Sequence, residues 1–132
     1  MYLLVDVTQE GVVSLRLFSH KTIVSFSRPH VHRDMLQDIR VFLLEQGIDV
    51  TSISGVAVVM GHGSFTSTRL ATIIANTWRL VFDVPVVAVP YAYRDDSSYC
   101  LSLFDQYAAG NREASYISPL YSGNPRIGGV SL

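Results

Sequence analysis

The chain has 132 residues, enough for one ordinary domain with a real hydrophobic core. Apolar residues make up 48% and charged residues only 16%, which excludes disorder and implies elements covered on more than one face. The formal net charge is -1 and Lys and Arg form no run, which argues against a large phosphate-binding footprint and direct nucleic-acid contact.

Tyr2 to Val7 is a short apolar run of strand formers, and "TQEG" at Thr8 to Gly11 supplies a turn. Val12, Val13, Leu15 and Leu17 fill a second strand, and "SHK" leads to a third from Thr22 to Phe26. Links this short predict an antiparallel meander. Pro29 then breaks the pattern. A helix follows over about Arg33 to Gln46, closed by Gly47, with Met35, Leu36, Ile39, Phe42 and Leu43 as its core stripe and Val41 and Leu44 off it.

Ile53 to Met60 reads as a strand buried on both sides. A second helix, Phe65 to Phe82, and a strand, Val84 to Val89, complete a crossover unit. The order β-β-β-α-β-α-β predicts an α/β fold, a mixed five-stranded sheet with helices packed on it. Residues 1–90 form that lobe, and 91–132 add a helix begun by Asp96 or Ser97 and ended at Gly110, then a strand in "REASYISPLY" and a loose tail.

The second helix is apolar nearly all round. Leu70, Ile73, Ile74, Thr77 and Val81 make one stripe, expected on the sheet. Ala71, Ala75, Trp78 and Phe82 make another, with only Arg69, Asn76 and Arg79 strongly polar between Arg69 and Phe82. The second stripe is expected to face a partner, with Trp78 and Phe82 as anchors. In the plainer alternative, the helix after Pro90 folds back over it.

"GHGSFTSTR", Gly61 to Arg69, lies between a buried strand and a helix. As a phosphate loop it has free helical N–H groups, but it lacks the Gly-Lys-Ser/Thr ending, and Thr66 holds the third glycine place of a dinucleotide fingerprint. As a nucleophile turn it fails G-x-S-x-G, because Phe65 follows Ser64. The leading reading is structural: Ser64 caps the helix and the glycines make a tight corner. A small nucleotide- or phosphate-binding enzyme using Gly61, Gly63 and Ser64 is the alternative.

Together, "LLVDVT" and "GHGSFTSTR" resemble the TsaB (YeaZ) family, whose members carry Gly-Pro-Gly-Ser-Phe-Thr-Gly-Leu-Arg and an Asp-Thr-Ser/Thr after the first strand. Gly61, Gly63, Ser64, Phe65, Thr66 and Arg69 match, as do Asp6 and Thr8. His62 replaces the proline, and Ser67 and Thr68 replace Gly-Leu. The likeness runs over about residues 1–90, and full-length members continue with a second lobe.

The resemblance implies a ribonuclease-H-like (actin-like ATPase) lobe without catalytic residues or a cofactor of its own. It implies support of a TsaD-like catalytic subunit in making threonylcarbamoyladenosine at position 37 of transfer RNA, with a TsaE-like ATPase able to join and tRNA met only indirectly. The contact it implies is a helical bundle, which homodimers can also use. Combined with the helix reading, the expected interface is Met35, Val41, Leu44, Phe65 and Arg69, together with Ala71, Ala75, Trp78, Arg79 and Phe82.

His30 and His32 make a poor metal site without an acidic or cysteine partner. Asp6 is expected to bond the turn at Thr8, and Asp95 and Asp96 to form a solvated turn. Cys100 is the only cysteine, so no internal disulfide is possible; it is expected to pack as a small hydrophobe beside Leu101 and Leu103. "MYLLVDVTQE" has no basic start and is interrupted by Asp6, so it does not read as a signal peptide. No apolar stretch nears the roughly 18 residues of a membrane span. A cytoplasmic protein is expected.

Overall fold

A computed structural model of the chain describes residues 1–29 and 35–108. Strands β1 (Tyr2–Asp6), β2 (Val12–Phe18) and β3 (Ile23–Pro29) form the meander, with Tyr2 opposite Phe18 and Phe18 opposite Ile23. Helix α1 (Met35–Glu45) leads to β4 (Gly55–Met60), then α2 (Phe65–Phe82), β5 (Val86–Pro90) and α3 (Ser97–Ala108). β4 lies parallel to both β1 and β5, so the sheet order is β3-β2-β1-β4-β5. The expected mixed five-stranded architecture is the observed one. His30, His32 and the "REASYISPLY" segment lie outside the described residues.

Strand alternation divides the core in two. Leu3, Val5, Leu15, Val56 and Val58 face the layer made by α1 and α2. Leu4, Ala57, Val59 and Val89 face the opposite way, toward Cys100 and Phe104 of α3. Every residue of β4 is buried, as a strand between two helical layers must be. Gly55 makes room for α3: a Cβ there would come within 2.5 Å of the Phe104 ring, which stacks on Tyr2 at 4.2 Å. Asp96 caps α3 by accepting from the Tyr99 N–H at 3.0 Å.

Two expectations about helix faces are corrected. In α2 the stripe expected to face a partner faces the sheet: Ala71, Ala75 and Trp78 are 1%, 0% and 6% exposed. Of the opposite stripe, Leu70 and Ile74 are half-buried against the core, whereas Ile73 and Val81 are turned outward, 51% and 63% exposed. Besides Trp78, the sheet-facing side is made of small residues, Thr68, Ala71, Thr72 and Ala75, which let the helix axis lie close on the fully buried β4. In α1 Met35 is core, whereas Leu36, expected in the core stripe, is 50% exposed. The helix after Pro90 does not cover α2; α3 lies across the sheet from it.

Candidate functional site

The carboxyl ends of β1, β4 and β5 open onto a polar cleft of about 700 Å³, the position where open α/β sheets commonly hold ligands. After β4 the chain turns through Gly61 and Gly63, at φ 94° and 103°. A Cβ on Gly63 would lie 3.0 Å from the Thr8 Cα and the Val7 carbonyl oxygen, so the corner is packed against the end of β1. Ser64 caps α2, its hydroxyl accepting from the Ser67 N–H at 3.1 Å. Asp6 accepts from both the N–H and the hydroxyl of Thr8, at 2.9 and 2.5 Å.

The basic groups of this cleft are drawn onto a tyrosine. The His62 ring lies 4.4 Å from that of Tyr91, and the Arg94 guanidinium sits 3.8 Å from the same ring's centre. Arg94 also donates to the Tyr91 carbonyl at 2.9 Å. One carboxylate oxygen of Asp6, the Ser64 hydroxyl and the Arg94 guanidinium are thus each engaged with a near neighbour in sequence. Among the described residues no group of three His, Cys, Asp or Glu side chains is placed to hold a metal.

A second concavity lies between α1 and α2. It measures about 470 Å³ and is lined by Leu36 and Leu43 from α1 and by Ile73, Ile74 and Val81 from α2, with Trp78 at its base. Arg40 is the charged side chain on its wall. Phe82, 37% exposed, also lines the concavity, and the same two helices expose Leu44 and Leu80. Exposed apolar side chains scattered singly need no explanation; those lining this groove are gathered in one place.

Of the residues expected at an interface, Leu44, Arg69 and Phe82 are exposed, Val41 is half-buried, and Met35, Ala71, Ala75 and Trp78 are core. Phe65 opens α2, its side chain falling outside those described. Arg79 is tied to Asp83 at 2.8 Å, one turn on. Leu36, Arg40, Ile73, Leu80 and Val81 were not foreseen. The signal that finds them is the Ala71/Ala75 pair, whose small size marks the sheet-facing side and so places the bulky set outward. Cys100 is fully buried beside Phe104, and burial pushes its thiol pKa up.

The meander, the parallel β1-β4-β5 half and the helices on both faces define a ribonuclease-H-like lobe. More narrowly, the fold is YeaZ-like (TsaB-like). The structure of YeaZ from Pseudomonas aeruginosa matches with a TM-score of 0.60 and 24% identity, over 73% of this chain and 51% of that one. A second solved structure, described as an uncharacterized protein with similarity to peptidase YEAZ from Pseudomonas aeruginosa, matches with a TM-score of 0.59 and 23% identity, over 73% and 49%. The chain thus spans about half the length of these structures. No protein-family model matches it, and no curated protein does.

Proposed function

We propose that this chain is a non-catalytic, TsaB-like scaffold lobe of the cytoplasmic machinery that makes threonylcarbamoyladenosine at position 37 of transfer RNA. It acts by presenting α1 and α2 to a TsaD-like catalytic subunit, with self-pairing through the same face when that partner is absent. A TsaE-like ATPase joins the assembled pair, and tRNA is met through the partner. The YeaZ-like fold supports this reading. The observation that carries it is the apolar groove between α1 and α2, left open among the described residues because α3 packs across the sheet.

Association there removes Ile73, Val81 and Leu36 from water together. Each such side chain is worth roughly 1.5–3 kcal/mol when buried completely, and proportionately less from a half-exposed start. Placing one charge in the groove reverses that gain. Co-purification of the TsaD-like subunit, with light scattering of the purified complex, is expected to show a pair with the parent and none with Ile73→Glu. Pairing that survives Ile73→Glu and Val81→Glu unchanged removes the docking role.

A further inference from the structure

The charge on the groove wall adds a requirement on the occupant, and this inference rests on the docking role proposed above. Arg40 is exposed, lines an otherwise apolar concavity, and has no hydrogen bond or ion pair with another described residue. α2 contributes no carboxylate at all. The two of α1, Asp38 and Glu45, do not line the groove; at 3.6 residues per turn they lie about 160° and about 140° around the helix from Arg40. Asp83, just beyond α2, is already paired with Arg79.

We propose that the groove selects a partner helix whose apolar stripe carries a carboxylate opposite Arg40, and that it prefers such a partner to a second copy of this chain. A helix suits the walls, because its backbone groups are satisfied internally, whereas an extended segment laid on apolar side chains would leave N–H and C=O groups unpaired. Covering the groove strips water from the guanidinium, which strengthens its attraction to a carboxylate and penalises its burial without one. Among the described residues, a second copy brings another arginine and no groove-lining carboxylate to the same contact. Register and choice of partner then follow from one charge.

The test is calorimetric titration of the partner subunit proposed above into the parent, Arg40→Met, Arg40→Glu and Ile73→Glu at low and moderate salt. Arg40 is exposed, so its variants are expected to fold, which circular dichroism checks. Arg40→Met is expected to weaken binding about tenfold and flatten its salt dependence. Arg40→Glu is expected to weaken it on the order of 100-fold, without weakening self-association measured by sedimentation. Both Arg40 variants binding like the parent, with Ile73→Glu not binding, overturns this inference and leaves the docking role standing. Self-association tighter than partner binding also overturns it. No binding by the parent, or full binding by Ile73→Glu, brings down the docking role and this inference with it.

Discussion

Replacing Trp78 with alanine separates a core role from an interface role at one position. The side chain is 6% exposed, packs between α2 and the sheet, and touches the Phe82 ring at a centroid distance of 5.6 Å. Truncating a buried Trp costs about 3–5 kcal/mol from lost burial and the cavity left behind. Its indole N–H is buried with no hydrogen-bond partner among the described residues, and removing that group returns about 1 kcal/mol or more. The net expectation is a loss of roughly 2–4 kcal/mol. That corresponds to a drop of the order of 10 °C in Tm for a domain of this size, or about 1–2 M in the urea midpoint. Far-ultraviolet circular dichroism of urea-unfolded parent and variant gives the number directly. Ile73→Ala, on the exposed ridge of the same helix, serves as control and is expected to change stability by about 0.5 kcal/mol or less. An unchanged midpoint in Trp78→Ala with loss of association instead would refute the assignment of α2's faces.

The glycine corner offers a second contrast: Gly63→Ala introduces a Cβ 3.0 Å from backbone atoms at φ 103°, whereas Gly47→Ala meets nothing within 4 Å at φ 68°. Gly47→Ala is expected to cost about 1 kcal/mol and Gly63→Ala at least twice that, by urea unfolding. Equal losses would mean that the corner is not packed against β1. At Cys100 burial raises the thiol pKa above that of a free thiol, so its contribution to stability is full below the unfolded-state value and declines as pH rises above it. The Tm advantage of the parent over Cys100→Ala is expected to narrow above pH 9, and a gap constant to pH 11 contradicts this. Titration with ATP and magnesium is expected to give no heat of binding. Clear binding abolished by Gly63→Val would favour the nucleotide-binding alternative.

Much of this architecture is written in local patterns. The valines between Gly55 and Gly61 mark β4 as a strand covered on both sides, and Ser64 and Asp6 make the bonds their immediate neighbours dictate. The phase of α2 was not legible in the same way. Periodicity shows that two stripes exist, but both are apolar, and the branched Leu70, Ile73, Ile74 and Val81 read as the sheet-facing one. The close approach to β4 reverses that choice, and only the Ala71/Ala75 pair hints at it. Contacts distant in sequence were equally silent: Tyr91 with His62, and Arg16 reaching Asp95 at 3.1 Å, depend on the sheet having already formed.

Hydrogen–deuterium exchange of the chain, alone and with the TsaD-like subunit, tests the docking face most directly. Slower exchange confined to the α1 stretch from Leu36 to Leu44 and the α2 stretch from Ile73 to Phe82 is the outcome this account predicts. Protection that falls on α3 or on β3, with α1 and α2 exchanging as in the free chain, would contradict it.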